Sequence, residues 1–278
     1  MQGIWEENQA EGFINISLKK AGSMKVSKFF IAPISLIVLI AGCIAAPAAP
    51  PPVPPPQTPM VFKNTIVSLT FDDGAADNYV VRETLKLHHL HATFYIISGY
   101  VGKDGFMTIA QIKDLYADGN EIGAHTVTHP KLSTLSLADQ KKEICQSRTD
   151  LMAMGFTITS FSYPYGDFLD ETEPIVKDCG FTSGRAVAGG SLDDPFNLPA
   201  LPYIVSDTRL PKMIRYVNNV EQEGGRWAIF VFHRVCKKCD YFSVTPETFD
   251  EFARWLEEQK DHGLVIKTVE EVMSEGIK

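Results

Sequence analysis

The sequence has no run of Lys or Arg in the body of its 278 residues, and its formal net charge is -8. A surface that binds nucleic acid needs a basic stripe, so no nucleic-acid partner is expected. No internal repeat is visible. The composition, 45% hydrophobic and 22% charged residues, is sufficient for one sizeable core with a remainder at one end of the chain.

Long apolar runs are also scarce, and the one extended run covers residues 29–40, after Lys25 and Lys28. A membrane span needs about 20 apolar residues, so this run is too short and has the layout of a signal peptide. Residues 24–42 end in Ile-Ala-Gly directly before Cys43, which resembles a bacterial lipobox. We expect lipidation of Cys43, membrane attachment and an extracellular or cell-surface location. An ordinary signal peptide or an uncleaved anchor is the alternative.

Two further segments are expected to lie outside the core. Residues 1–23 precede the signal peptide and have none of the features of an export signal, so they are interpreted as a non-native or unstructured extension. Residues 43–59 are rich in proline, which favours extended polyproline II structure and cannot pack a core. This linker would hold a catalytic domain of residues 60–278 away from the membrane.

Beyond Cys43, the chain has four cysteines: Cys145, Cys179, Cys236 and Cys239. An even number in an exported domain suggests up to two disulfides, with three possible pairings. The last two form a single C-x-x-C motif. A zinc ribbon would need four ligands, and no thioredoxin-like unit surrounds the motif. A local disulfide between Cys236 and Cys239 is therefore the favoured interpretation.

From residue 60 onward, short apolar runs alternate with segments of helical periodicity. The predicted strands cover residues 66–71, 92–97, 121–125, 156–163, 182–187, 227–232 and 264–268. The predicted helices cover residues 78–89, 108–117, 137–154, 171–179, 210–219, 246–259 and 269–274. This alternation is typical of a parallel sheet covered on both faces, either a doubly wound sheet or a β/α barrel.

Polar residues follow several of these strands, at the edge where the active sites of β/α folds lie. Asp72 and Asp73 follow the first strand, His125 and His129 the third, and His233 the strand at 227–232. The i, i+4 spacing of the first two histidines would place both imidazoles on one side of a helical turn. Two histidines and a carboxylate suit Zn, Co, Ni or Fe and leave positions open for water and substrate.

The motifs T-F-D-D-G at 70–74, H-T-V-T-H at 125–129, Y-P-Y-G at 163–166 and F-V-F-H at 230–233 together resemble the polysaccharide deacetylase family. This family is also called the NodB-homology or carbohydrate esterase 4 family, and the resemblance covers residues 65–273. It implies a distorted β/α barrel of about seven strands. It also implies removal of N-acetyl groups from an N-acetylglucosamine polymer, such as a cell-surface glycan, chitin or peptidoglycan. The implied cofactor is a divalent metal, zinc before cobalt or nickel.

The resemblance implies a role for each matched residue. Asp73, His125 and His129 would hold the metal, which polarises the amide carbonyl and lowers the pKa of water. Asp72 would be the general base that takes a proton from the attacking water. His233 would be the general acid that protonates the leaving amine, because an amine is otherwise a poor leaving group.

The resemblance assigns Tyr165 to the substrate site, where its backbone N–H would stabilise the oxyanion. The sequence departs from the family's pattern twice. Many members have an Arg where this chain has Ser162, and Arg185 is either its replacement beside Asp72 or an ordinary surface residue. The family's Asp and Trp that position the acid histidine are not found, although Asp193, Asp194 and Asp207 lie in the right stretch.

Tyr203 is a candidate for stacking on a sugar ring, near the expected cleft. The remaining histidines are expected to be surface or packing residues: His88, His89, His91 and His262. A metallopeptidase is disfavoured because Thr126 stands where H-E-x-x-H has Glu. An inactive carbohydrate-binding homologue would be expected to lose Asp72 or His233, and an O-acetyl esterase acting on xylan-like polymers stays open. A monomer is expected.

Overall fold

The computed structural model describes most of the chain beyond the proline-rich segment: residues 62–63, 65–187, 189–224, 226–237 and 239–276. The predictions on residues 1–23, on the signal peptide, on Cys43 and on the linker lie outside the described residues. None of the helices in the described ranges is both long and apolar enough to cross a membrane.

The strands follow the apolar runs of the sequence. They are β1 (Thr65–Phe71), β2 (Thr93–Ile96), β3 (Glu121–Ala124), β4 (Ser160–Ser162), β5 (Ser183–Arg185), β6 (Arg226–Phe232), β7 (Arg234–Val235), β8 (Ser243–Val244) and β9 (Val265–Ile266). Seven of them form one parallel sheet in the order β5-β4-β3-β2-β1-β6, and β9 pairs with β1. All seven predicted strands are confirmed in this sheet. The short pair of β7 and β8 was not predicted.

The seven predicted helices are also confirmed. They are α1 (Val81–Leu87), α2 (Ile109–Ala117), α3 (Leu137–Ala153), α4 (Thr172–Asp178), α5 (Leu210–Gln222), α6 (Pro246–Lys260) and α7 (Val269–Glu275). Side chains cap the starts of four of these helices, α2, α3, α6 and α7. Thr108 and Thr268 form capping boxes with Gln111 and Glu271, and the side chain of Thr245 caps α6 as its sequence position indicates.

Strand β1 pairs with three other strands of the sheet. All seven of its residues pair with β6 on one side, while its start pairs with β9 and its end with β2 on the other. The buried ring of Phe71 stacks on Phe94 and Phe232, and Phe249 of α6 packs against it edge-on. Because every strand of the sheet is parallel, the residues after their carboxyl ends meet at one edge.

The segment 198–203 lies between the two outer strands of the sheet. Leu198 pairs with Arg185 of β5, and Tyr203 pairs with Val231 of β6. This irregular segment spans the gap that β5 and β6 leave, which gives the distorted barrel of about seven strands that the motifs predict. Periodicity did not reveal the segment, because its prolines interrupt any apolar run.

Two disulfides complete the described fold. Cys145 in α3 is bonded to Cys179, the residue after α4, and Cys236 is bonded to Cys239 in the loop after β7. The predicted local disulfide between Cys236 and Cys239 is confirmed. Of the three possible ways to pair the four cysteines, the structure has the one that also joins Cys145 to Cys179.

Candidate active site

The side chains of Asp73, His125 and His129 converge beyond the ends of β1 and β3. The Oδ1 atom of Asp73 lies 3.5 Å from Nε2 of His125 and 3.3 Å from Nε2 of His129. That Oδ1 atom is buried and has no hydrogen-bond partner among the described residues. Ligand atoms roughly 2.1 Å from a tetrahedral ion lie about 3.4 Å apart, so the three groups fit a small divalent metal such as zinc.

The two histidines do not lie on a helical turn, and that prediction is wrong. Residues 125–129 form an irregular turn in which Thr126 and His129 have φ values of 62° and 60°. The carboxylate of Glu143 in α3 accepts hydrogen bonds of 2.9 Å from two successive backbone N–H groups of this turn. Pro130 disfavours helical geometry at His129. Contacts distant in the sequence therefore aim both imidazoles at one point.

Both imidazoles are held by their other nitrogen. Nδ1 of His125 lies 2.8 Å from the backbone oxygen of Ser162, and Nδ1 of His129 lies 3.2 Å from the hydroxyl of Tyr165. Nε2 of each ring is thereby directed towards Asp73. Metal-binding histidines in proteins characteristically use one nitrogen for the metal and the other for such a hydrogen bond.

The charges of these groups suit a cation. Burial opposes ionisation of Asp73, but the contact with His125 and the positive charge that His233 and His129 can carry outweigh it, and the pKa of Asp73 is lowered. Burial and the neighbouring His125 lower the pKa of His129 to about 4. At neutral pH, Asp73 is therefore ionised and His129 is neutral, which is the form of each that binds metal.

Asp72 is buried beside these groups and forms an ion pair with Arg185, which is only 1% exposed. Arg185 also donates to the hydroxyl of Ser162 and lies 5.1 Å from the ring centre of Tyr95. Burial opposes the charge of Arg185, but Asp72 outweighs it and the pKa of Arg185 is raised. The surface alternative for Arg185 is wrong, and the guanidinium lies where the replacement hypothesis requires it.

Strand register explains how Arg185 reaches Asp72. Ser162 stands where many polysaccharide deacetylases have an arginine. It pairs directly with Arg185 across β4 and β5. Paired residues of neighbouring strands point to the same face of a sheet, so the arginine can stand on either strand and still reach the base. The second carboxylate oxygen, Oδ1 of Asp72, is buried and has no partner in the described ranges.

His233 follows β6 and faces the same edge of the barrel. Its Nε2 lies 2.8 Å from the hydroxyl of Tyr203, and its Nδ1 is buried with no partner among the described residues. The three aspartates of the preceding stretch make other contacts: Asp193 pairs with Arg226, Asp194 caps a turn, and Asp207 is exposed near Lys212. Tyr203, a candidate for stacking on a sugar ring, contacts His233 through its hydroxyl.

Tyr165 follows Pro164 in a left-handed backbone conformation, with φ of 61°. Its ring centre lies 4.6 Å from that of His129, and 43% of its surface stays exposed. The side chain therefore contacts a candidate metal ligand and still borders the solvent. The role predicted for Tyr165 involves its backbone N–H. The contact of its hydroxyl with Nδ1 of His129 was not predicted.

Residues 61–184 match the family model for polysaccharide deacetylase. The matched range includes both aspartates, both candidate metal-binding histidines and Tyr165. It ends before Arg185 and His233, so these two residues are assigned to the site by geometry and motif order alone.

Curated relatives match part of the chain. The peptidoglycan-N-acetylmuramic acid deacetylase of Bacillus subtilis is 32% identical over 116 residues, which are 40% of this chain and 24% of that protein. The chitooligosaccharide deacetylase of Sinorhizobium fredii is 33% identical over 121 residues, which are 42% of this chain and 54% of that protein. The chain thus matches about half or less of these relatives' lengths.

A solved structure shares the fold. It is a carbohydrate esterase 4 family pseudoenzyme from Bacillus anthracis, with a TM-score of 0.54 and 19% identity over 76% of this chain and 66% of that chain. The same fold therefore occurs in enzymes and in a pseudoenzyme, so the chemistry has to be argued from the side chains of this site.

Proposed function

We propose that this protein is a metal-dependent hydrolase that removes N-acetyl groups from a polysaccharide containing N-acetylglucosamine. The observation that carries the proposal is the convergence of Asp73, His125 and His129 on one point, with Asp72 and His233 beside it. Zinc fits the donor set best, and cobalt or nickel could replace it. A divalent ion bound there would polarise the amide carbonyl and lower the pKa of water.

Asp72 supplies the base of the proposed reaction. Arg185 holds one of its oxygens, and the buried Oδ1 is left without a partner among the described residues. Through Oδ1, the carboxylate can accept a proton from the attacking water. Arg185 also fixes the direction in which Oδ1 points.

His233 supplies the acid. As the carbon–nitrogen bond breaks, the protonated imidazole gives its proton to the leaving amine. The backbone N–H of Tyr165 stabilises the negative charge that develops on the carbonyl oxygen. The base and the acid come from the ends of different strands, β1 and β6, so the substrate carbonyl would lie between them.

The names of the relatives support the substrate class. One is described as acting on peptidoglycan N-acetylmuramic acid and the other on chitooligosaccharide. Both activities cleave an N-acetyl amide, which favours an amide over the O-acetyl ester of a xylan-like polymer. Retention of Asp72 and His233 favours an active enzyme over an inactive carbohydrate-binding homologue.

The test is acetate release from N-acetylglucosamine oligomers and peptidoglycan fragments, before and after EDTA and with zinc restored. We expect release that EDTA abolishes, that zinc restores and that Asp72→Asn removes. Asp178→Asn, at an exposed position on α4, is the matched control and should retain activity. Metal-loaded protein that releases no acetate from these amides or from acetylated xylan would exclude this activity and favour a binding role.

The proposal includes export and attachment to the membrane through lipidated Cys43, as a monomer. The Cys145–Cys179 disulfide supports export, because disulfides persist mainly in oxidising compartments. Cell fractionation should place the protein with the membrane, and Cys43→Ser should release it or block its maturation. Membrane attachment that survives this substitution would exclude the lipid anchor.

A further inference from the structure

The imidazole of His233 is enclosed by two aromatic rings. Its ring centre lies 4.8 Å from that of Tyr203 and 5.5 Å from that of Phe242. The Tyr203 hydroxyl is 2.8 Å from Nε2, and this is the one hydrogen bond that the His233 side chain makes within the described residues. No carboxylate of the described ranges forms a hydrogen bond or ion pair with this histidine.

The backbone fixes Tyr203 relative to His233. Val231, two residues before His233, donates its N–H to the Pro202 oxygen at 3.1 Å and accepts from the N–H of Ile204 at 3.0 Å. These two bonds hold the residue between them, Tyr203, beside the strand that carries the acid. The phenol hydroxyl is therefore placed by backbone hydrogen bonds to β6.

The phenol stays protonated at this position. Burial raises the pKa of Tyr203, and the negative charge of Asp72 raises it further. The hydroxyl can donate to Nε2 of a neutral imidazole, and its oxygen can accept from the same nitrogen when the imidazole is protonated. In both states Nε2 is occupied, so Nδ1 is the nitrogen left for the substrate.

We infer that Tyr203 is the positioning residue of the acid step, taking the place of a carboxylate partner, and that His233 donates from Nδ1. The inference rests on the proposed function. When the carbon–nitrogen bond breaks, its electron pair goes to nitrogen, which takes the Nδ1 proton. The imidazole becomes neutral with its remaining proton on Nε2, which donates a hydrogen bond to the Tyr203 oxygen.

The test compares two leaving groups in Tyr203→Phe, which keeps the ring and loses only the hydroxyl. An N-acetylglucosamine oligomer needs a proton on its leaving amine, whereas 4-nitrophenyl acetate releases a stabilised phenolate that needs none. We expect kcat on the oligomer to fall roughly tenfold or more. KM, the bound metal content and the turnover of the ester should not change.

Tyr216→Phe, a partly exposed tyrosine on α5, is the matched control and should behave as the unaltered protein on both substrates. Equal loss on both substrates in Tyr203→Phe would mean that the hydroxyl only supports the fold, and would overturn the inference. Unchanged turnover of the oligomer would overturn it too. An unaltered protein that hydrolyses no amide would overturn the proposed function, and the inference with it.

Discussion

A single pair of facing residues, Ser162 and Arg185, decides how the base Asp72 is held. The ion pair is fully buried, and breaking such a pair from one side leaves an uncompensated charge. The motif of β4 lacks an arginine, yet the guanidinium reaches Asp72 from β5. The arginine that many polysaccharide deacetylases have at the position of Ser162 is therefore replaced in this chain by Arg185 on the neighbouring strand.

This pairing predicts the outcome of exchanging the two residues. Arg185→Ser should lower the free energy of unfolding by about 3–5 kcal/mol and lower kcat about 100-fold or more. Adding Ser162→Arg should restore part of both, because the arginine then projects from the facing position. Urea unfolding and acetate release measure the two effects. A double variant no better than Arg185→Ser would contradict the equivalence of the two positions.

The hydroxyl of Tyr165 makes a second prediction at this scale. Tyr165→Phe removes the hydrogen bond to Nδ1 of His129, and losses of such supporting bonds lower metal affinity by roughly 10–100-fold. At saturating zinc, kcat should be nearly unchanged. Competition with a chromogenic chelator measures the affinity, and Tyr216→Phe serves as the control. Unchanged affinity would show that the contact does not orient the ligand.

The sequence allowed the chemistry of these residues to be predicted better than their partners. Asp72, Asp73 and the three histidines were recognised because each stands at or just after the end of a predicted strand, in motifs ordered as in the polysaccharide deacetylase family. The position of Arg185 stayed open, because it depends on the register between β4 and β5. Tyr203 was placed near the cleft, but its contact with His233 was not predicted, since it depends on pairing between segments far apart in the sequence.

At the scale of elements, Glu121 joins three parts of the barrel at the end away from the site. Its carboxylate accepts from the hydroxyls of Thr93 on β2 and Ser160 on β4, and from the backbone N–H of Glu270 in α7. Negative charge near the first turn of a helix is favourable. Burial nevertheless dominates and raises the pKa of Glu121.

This raised pKa has a defined effect on stability. The folded protein keeps the Glu121 proton to higher pH than the unfolded chain does, so this group makes the free energy of unfolding decrease as pH rises above about 4.3. Glu121→Gln removes that decrease and costs about 1–3 kcal/mol at low pH, because an amide cannot accept from all three donors. Urea unfolding from about pH 5 to about pH 8 should show the stability advantage of the unaltered protein shrinking. An advantage that grows with pH would contradict this, and Glu251→Gln, exposed on α6, is the control.

The two disulfides should contribute unequally. Cys145 and Cys179 are 34 residues apart and join α3 to the end of α4, whereas Cys236 and Cys239 are three apart. Loop-closure entropy assigns about 3–4 kcal/mol to the long loop and about 1–2 kcal/mol to the short one. Denaturant unfolding of the two double Cys→Ser variants measures both losses. Equal losses would show that loop length does not decide the contribution of these bonds.

Helices and strands were predictable from the sequence where the hydrophobic pattern is local. Continuous apolar runs gave the seven parallel strands, although β4 and β5 are much shorter than predicted. The turn at 125–129 was predicted wrongly, because the Glu143 side chain of a distant helix determines it. The segment 198–203 was missed for a similar reason, since its pairing with β5 and β6 leaves no periodic signal.

At the scale of the whole molecule, the candidate metal site is a product of folding. Asp73 comes from the end of β1 and the two histidines from the turn after β3, so the unfolded chain has no comparable arrangement. An ion that binds only the folded state stabilises it by mass action. Metal removal should therefore affect stability as well as activity.

Zinc at about 1,000 times its dissociation constant should raise the free energy of unfolding by about 4 kcal/mol, or Tm by roughly 10 °C. Calorimetry with EDTA and with zinc measures the difference within each variant, so any loss of stability in the metal-free form cancels. His125→Ala should lose the shift, whereas His262→Ala, in a surface loop, should keep it. A shift that persists in His125→Ala would place the ion outside the group of Asp73, His125 and His129.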